Sequence, residues 1–467
     1  MTGTATRSST LTTPNWKWSP EQRFTMNYEQ AWTFLDDLQF FKIKLGLDAM
    51  RSFLGRVGNP HKQLCFVHVG GTNGKGSVAS TLLSILSGAG FRVGLYTSPH
   101  LSDVRERFRI NDTSIGRDDF ARLIGRIQAV LNGDQITYFE CTTTLALLWF
   151  AEQDVDLAIM EVGMGGRLDA TNVIRPLVSL ITNVSMDHEQ YLGNTLAEVA
   201  GEKAGIIKPG VPVVSGATDT VSRAVIEETC GRRKSPLYLL GRDFHGHRRP
   251  ERQTAWDWTG WDGGQYRDLP LAMHGAYQVD NAALAVAAVR LLAGHGFTVD
   301  GRRIRQGLAR TRWPGRLESF TFDPARQPGR LAIAAGIRFL LDGAHNPAGV
   351  EALAAALESE FFYERLILVW GAMADKEIST TLATIAPLAD TIIFTRPESE
   401  RSATPDALLA QLPPSCQVRV ETAPDVATAL VMAAAMAANE DLVCVAGSLY
   451  LVGRARQLLL GELTDDS

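Results

Sequence analysis

Between residues 64 and 181 the chain repeats one rhythm: a short uninterrupted apolar run, a glycine-rich or polar loop, then a longer amphipathic segment. Unbroken apolar runs suit strands buried on both faces of a parallel sheet, and the amphipathic segments supply helical crossovers between them. The pattern predicts strands at 65–69, 92–96, 157–161 and 178–181, with helices at 77–89, 118–131 and 141–152. Between 241 and 270 the texture changes to Trp, Arg, Gly and Asp without a helical period, which predicts an insertion of irregular or antiparallel edge structure. An alanine-rich helix is expected at 281–293, and Trp313-Pro314-Gly315-Arg316 then supplies the turn chemistry of a boundary. Beyond it a second series begins, with strands expected at 338–341, 366–370, 391–395, 418–421 and 442–445. The fold class is therefore α/β, with two doubly wound units in sequence and a cleft between them where ligands often bind.

A chain of 467 residues exceeds one ordinary core and divides most naturally into two domains. The formal charge of -5 gives no general attraction to nucleic acid, and basic clusters such as Arg302-Arg303 are too short to form a polybasic tail. Five cysteines, Cys65, Cys141, Cys230, Cys416 and Cys444, are odd in number, widely spaced and lack a C-x-x-C pair. That argues for reduced thiols in a cytoplasmic protein over a disulfide framework or zinc site. Residues 1–14 are Ser/Thr-rich without an apolar stretch, so a frayed tail is expected there and not a secretory signal. The most apolar helical run, 427–438, is too short to span a bilayer, and no membrane role is expected.

The strand ending at Val69 runs into Gly71-Thr72-Asn73-Gly74-Lys75-Gly76-Ser77 and then a helix. That order aims successive backbone N–H groups and a helix N-terminus at an anion, with Lys75 placed for the β- and γ-phosphates of ATP. In the common phosphate loop Ser or Thr directly follows Lys, whereas here Gly76 intervenes and Ser77 comes one later. Glu161 closes an apolar strand at its carboxyl end, where open α/β sheets hold ligands and where magnesium bridging phosphates needs hard oxygens. The hydroxyl of Ser98, in Tyr96-Thr97-Ser98-Pro99-His100, is a second candidate ligand, although Ser before Pro is also common in turns. His188 follows the strand at 178–181, and Lys203 sits in Glu202-Lys203-Ala204-Gly205-Ile206-Ile207. Taken singly they read as a structural histidine and a helix-surface lysine.

Together these segments resemble the folylpolyglutamate synthases and bifunctional dihydrofolate synthases of the muramyl-ligase superfamily. The resemblance is carried by the loop from Gly71 to Ser77, by Tyr96-Thr97-Ser98-Pro99-His100-Leu101, by Gly163-Met164-Gly165-Gly166-Arg167-Leu168-Asp169-Ala170-Thr171-Asn172, by Leu341-Asp342-Gly343-Ala344-His345-Asn346-Pro347 and by Gly371-Ala372-Met373-Ala374-Asp375-Lys376, in family order. It implies a partly flexible tail (1–27), an N-terminal P-loop ATPase domain with a mostly parallel sheet (28–315) and a smaller C-terminal Rossmann-like glutamate-ligase domain (316–467). It implies that Ser98 and Glu161 hold the magnesium accompanying ATP. It further implies that His188 holds a second magnesium bridged by Lys203 as a carbamate, a modification that turns an ammonium into an anionic oxygen ligand. Lys75, Glu161, His188 and Lys203 form the implied catalytic set. Asn281 is implied for the adenine, Arg316 for the phosphate end, and Asp342 with His345 for the C-terminal contribution to nucleotide. Tyr277 departs from the pattern, since relatives often carry His before Gln278. For a pterin ring the candidates are Tyr138, Phe139, Arg167 and Asp169, although aromatic residues in such a segment also serve as core.

The resemblance implies that a pterin acid attacks the γ-phosphate of ATP, and that the α-amine of L-glutamate converts the acyl phosphate to an amide. Such chemistry runs on positioning and charge neutralisation, and the intermediate demands that water be excluded by closure of one domain on the other. Both dihydropteroate and tetrahydrofolate or its polyglutamates are expected as acids, in a monomer. Folylpolyglutamate synthesis alone is the nearest alternative. A P-loop phosphotransferase or nucleotide switch is the alternative from another class, and neither would need the second α/β unit.

Overall fold

The computed structural model describes residues 26–38, 46–187, 189–249, 252–326, 331–397, 399 and 401–461. Its first sheet holds β1 (Phe66–Gly70), β2 (Val93–Tyr96), β3 (Phe108–Ile110), β4 (Thr113–Ser114), β5 (Leu157–Glu161), β6 (Val178–Ile181), β7 (Val213–Ser215) and β8 (Leu237–Leu239). They lie in the order β4-β3-β2-β5-β1-β6-β7-β8. The run from β2 to β8 is parallel, and β3 and β4 add an antiparallel edge. Side chains alternate between two cores, as a two-sided sheet requires: Phe66, Ala158 and Met160 join one, Val67, Leu157 and Ile159 the other. β1 is central, so the loops leaving β1, β2, β5 and β6 converge at one carboxyl edge.

The change of texture at 241–270 is a three-stranded antiparallel sheet, β9 (His245–Arg249), β10 (Arg252–Thr259) and β11 (Gln265–Pro270). Its Trp256 and Trp258 are fully buried and join the core beneath the helix Tyr277–Leu292. The second unit is a six-stranded sheet of β12 (Glu318–Thr321), β13 (Arg338–Leu341), β14 (Leu366–Trp370), β15 (Thr391–Thr395), β16 (Arg419–Ala423) and β17 (Leu442–Ala446). The order is β12-β13-β17-β14-β15-β16, parallel except for the β12 edge.

All four expected helices begin earlier than expected, the alanine-rich one at Tyr277 instead of 281, and two of these starts have evident local reasons. The helix after β1 spans Lys75–Gly88, because Gly74 at φ 82 turns the chain directly into it. The next-but-one begins at Tyr138, where Thr137 and Glu140 close a capping box, so Tyr138 and Phe139 lie in its first turn. No described helix is long and apolar enough to cross a membrane.

The two sheets present their carboxyl edges to each other. Asn346 Nδ2 donates to Asn73 Oδ1 at 3.1 Å, Lys376 pairs with Asp187 at 3.3 Å, and the Ser102 hydroxyl donates to Gly453 O at 2.9 Å. These contacts leave a cavity of about 1410 Å³ between the lobes.

Candidate active site

The loop after β1 is stitched to the segment leaving β6. Thr72 N donates to Asn183 O (3.1 Å), Asn73 N donates to Asn183 Oδ1 (2.8 Å), and the Thr182 hydroxyl donates to Asn73 O (2.6 Å). Gly71 lies so close to Thr182 that a Cβ would come within 1.9 Å of its hydroxyl oxygen, and φ there is 137°. With the loop so pinned, the first-turn N–H groups of the helix at Lys75, Gly76 and Ser77 have no carbonyl within the helix to meet and form an anion cradle. The Lys75 ammonium folds back on Thr72 O (2.9 Å) and Gly71 O (3.2 Å). Burial lowers its pKa, which the Glu161 and Asp187 carboxylates partly offset.

The offset serine has a structural reason. A Cβ at Gly76 would meet the Trp313 indole at 2.5 Å, so the indole of the interlobe turn excludes any side chain directly after Lys75. Ser77 follows with its hydroxyl accepting from Gln278 Nε2 (3.3 Å), and Gln278 in turn accepts from Asn281 Nδ2 (2.9 Å). Asn281 stands at the cavity wall with its amide against Gly74.

Glu161 ends β5 buried, with Oε2 accepting from Ser98 N at 3.2 Å, and both residues face the cavity. Burial pushes its carboxyl up to about 7, against the pull of Lys75. The desolvated Glu161 carboxylate, held by the Ser98 backbone at the phosphate-loop cavity that Ser98 also lines, offers with the serine hydroxyl the hard-oxygen chemistry that suits a divalent cation. Among the described residues no cluster of three or more His, Cys, Asp or Glu side chains forms a metal site. His188, expected as a ligand, lies outside the described residues. Lys203 is buried in the helix Leu196–Ala204, behind the phosphate loop, and donates to Gly71 O at 3.1 Å. Burial, reinforced by Lys75, lowers its pKa to about 7. It is therefore no surface lysine.

The four pterin candidates part company. Tyr138 and Phe139 line the cavity; the Phe139 ring lies against Gly163, where a Cβ would meet it at 2.5 Å. Arg107 sits over the Tyr138 ring at 5.2 Å. Arg167 instead reaches the outside of the helix Leu196–Ala204, donating to Glu202 Oε1 (2.9 Å) and Gly201 O (2.8 Å), and does not line the cavity. Asp169 borders the cavity, but its carboxylate receives four protein donors: Gly163 N, Met164 N, Thr171 N and the Thr171 hydroxyl.

From the second lobe, Arg316, Asp342 and His345 face the phosphate loop across the cavity. Asp342 accepts from Leu317 N and Ala344 N, both at 2.8 Å, which fixes the loop after β13; its pKa is raised by burial and held back by Arg316. His345 Nδ1 lies 2.8 Å from Gly343 O, and a carbonyl only accepts, so the proton is on Nδ1 and Nε2 carries a lone pair. Burial lowers its pKa to about 4. Tyr277 stands beside Asp342 and Arg316 at the same wall. Sequence reasoning assigned no role to Asn183, which pins the phosphate loop, or to Asp187, which meets both Lys376 and Asn346. Their position just beyond β6, at the carboxyl edge beside β1, was the available signal.

Comparison with known proteins places this arrangement. Residues 69–289 match the Mur ligase middle domain and residues 329–449 the glutamate ligase domain of Mur ligases. The chain is 32% identical over 442 residues to a dihydrofolate synthase/folylpolyglutamate synthase of Bacillus subtilis, covering 92% of this chain and 99% of that one. It is 35% identical over 441 residues to a probable bifunctional folylpolyglutamate synthase/dihydropteroate synthase of Haloferax volcanii, covering 92% of this chain and 50% of that one. The chain thus spans about half the length of that relative. Among solved structures, E. coli FolC in complex with DHPP and ADP is similar at a TM-score of 0.83 and 30% identity, covering 93% of this chain and 98% of that one. A bifunctional folylpolyglutamate synthase/dihydrofolate synthase of Yersinia pestis, complexed with AMPPNP and Mn ion, is similar at 0.81 and 29% identity, covering 94% and 99%.

Proposed function

Since this chain belongs to the folylpolyglutamate synthase/dihydrofolate synthase family of Mur ligases, we propose that it ligates L-glutamate to pterin acids at the expense of ATP, accepting both dihydropteroate and reduced folates. One observation carries the reading: a single interlobe cavity joins the phosphate loop, an aromatic wall at Tyr138 and Phe139, and the loop bearing Asp342 and His345. A phosphotransferase or switch has no use for the last of these.

The substrate carboxylate attacks the γ-phosphorus, the bond to the β-phosphate oxygen breaks, and ADP leaves. The α-amine of glutamate then adds to the acyl phosphate, loses a proton and expels phosphate. The helix N-terminus at Lys75 to Ser77 and the Lys75 ammonium hold the nucleotide phosphates, and Arg316 offers a cation from the opposite lobe. Asn281, at the cavity wall with its amide against Gly74, is the residue proposed for the adenine. Ser98 and Glu161 would hold magnesium, which supplies charge neutralisation on the phosphates when bound. The Tyr138 hydroxyl is buried without a hydrogen-bond partner among the described residues, which suits a polar substrate edge. The contacts of Asn73 with Asn346 and of Asp187 with Lys376 support a closed lobe arrangement that excludes water.

Lys203 as a carbamate belongs to the same proposal. Its lowered pKa leaves an appreciable neutral amine near neutrality, and a neutral amine combines with carbon dioxide to give the carbamate and one proton. His188 would join it at a second magnesium. Intact-mass spectrometry under bicarbonate with magnesium should add one carbon dioxide to the wild type and none to Lys203→Arg; an unmodified wild type would remove the carbamate from the scheme.

The deciding assay follows ADP release with glutamate plus dihydropteroate and, separately, with glutamate plus tetrahydrofolate. Both acids should support release that requires glutamate. Release with tetrahydrofolate alone would restrict the protein to folylpolyglutamate synthesis, and release with neither would overturn the reading.

A further inference from the structure

His68 lies on β1, three residues before Gly71, fully buried on the sheet face it shares with Phe66. Its Nε2 stands 2.9 Å from Thr171 Oγ1, and Thr171 Oγ1 stands 2.5 Å from Asp169 Oδ1. Burial raises the pKa of Asp169 and its four donors oppose that rise; all four contacts are donated to it, so its carboxylate acts here as an acceptor. The Thr171 hydroxyl therefore gives its one proton to Asp169 and must receive a proton from His68. The imidazole is the Nε2–H tautomer, and Nδ1 is bare, with no hydrogen-bond partner among the described residues. Burial keeps the ring neutral, its pKa lowered to about 3.

At the other end of this chain of bonds, Asp169 Oδ2 accepts from Gly163 N and Met164 N, each at 3.0 Å. These amides belong to a loop with glycine at 163, 165 and 166, which borders the cavity with the Phe139 ring packed on Gly163. Gly165 at φ 67 and Gly166 at φ 158 give the loop much backbone freedom to lose, so an ordered wall requires a clamp. We propose that His68 is a positioning residue which, through Thr171, orients the Asp169 carboxylate and so holds the 163–164 wall against which the pterin acid packs. It touches neither substrate nor reacting atoms. The strand that delivers the phosphate loop thereby also sets the acid-substrate wall. This inference rests on the pterin-acid reading above.

Steady-state kinetics of the full chain test it with Thr171→Val, Thr171→Ser, His68→Leu and His68→Gln. Removing the hydroxyl or the ring donor should raise KM for the pterin acid at least fivefold and leave KM for ATP within twofold. The serine and glutamine variants, which keep a donor in place, should return close to wild type. An unchanged acid KM in folded Thr171→Val, a Thr171→Ser enzyme as impaired as Thr171→Val, or an equal rise in ATP KM would each overturn the proposal. Should Thr171→Val and His68→Leu not fold, imidazole ¹⁵N NMR of the wild type decides: a protonated Nε2 with a bare Nδ1 is expected, and the opposite tautomer refutes the chain of donors. A wild type that releases no ADP with any pterin acid would remove the functional reading while leaving the tautomer result standing.

Discussion

Two glycine-rich loops leave adjacent strands of the same sheet, one after β1 and one after β5, and they use their backbone N–H groups in opposite ways. The phosphate loop is pinned from behind by Thr182 and Asn183, which leaves the amides of the helix start facing outward to an anion. The loop after β5 turns two amides inward onto a carboxylate of its own, Asp169, and offers the cavity a shaped wall. Glycine content alone says that a backbone approaches something closely. Where the amides find their acceptor separates a phosphate site from a packing surface.

That contrast is open to direct attack, starting where the effect should be greatest. Lys75→Ala removes the cation of the phosphate loop, and kcat should fall about a hundred- to a thousandfold while the melting temperature barely moves. A small loss in a stopped-flow or steady-state ADP assay would deny that this loop carries the chemistry. Asn183→Ala leaves Asn73 N without its acceptor, a cost of about 2 kcal/mol, so KM for ATP should rise about thirtyfold with KM for the pterin acid nearly constant. Asp169→Asn puts an NH₂ group against donors in the other loop; KM for the pterin acid should rise about tenfold, ATP being little affected. If each variant raised both constants alike, the loops would be one unit and the contrast would fail.

The smallest effect concerns pH. His68 has a folded pKa of about 3, well below the ordinary value near 6.5, so the unfolded chain binds the extra proton between those values. Stability from this group is complete above pH 6.5 and declines as pH falls. Relative to His68→Gln, the wild type should lose about 1 kcal/mol between pH 6.5 and 5.5 in urea unfolding. Parallel pH profiles for the two proteins would place a charged imidazole in the fold and weaken the clamp.

Much of this was legible before any coordinates. Unbroken apolar runs located β1, β2, β5 and β6 in the first lobe and β13 to β17 in the second, because a strand buried on both faces leaves no room for polar alternation. The loop from Gly71 to Ser77 and the strand-end position of Glu161 are local features, readable from neighbouring residues. The short strands β7, β8 and β12 were not foreseen, since three or four residues carry too little pattern. Asn183 and Asp187 escaped assignment for another reason: their partners, Asn73 and Lys376, are 110 and 189 residues away along the chain.

Arg167 and Asp169 mark the boundary between the two kinds of knowledge. Their neighbourhood in sequence tied both to one pterin-holding loop, whereas the fold sends Arg167 to Glu202 on the outer surface and surrounds Asp169 with four protein donors. The offset of Ser77 was visible in the sequence, but its cause, the Trp313 indole packed on Gly76, joins residues from opposite ends of the first lobe. Periodicity and loop chemistry act between near neighbours and are written in the order of residues. Which donor meets which acceptor depends on distances that exist once the chain is packed, and those distances assign the work of each side chain.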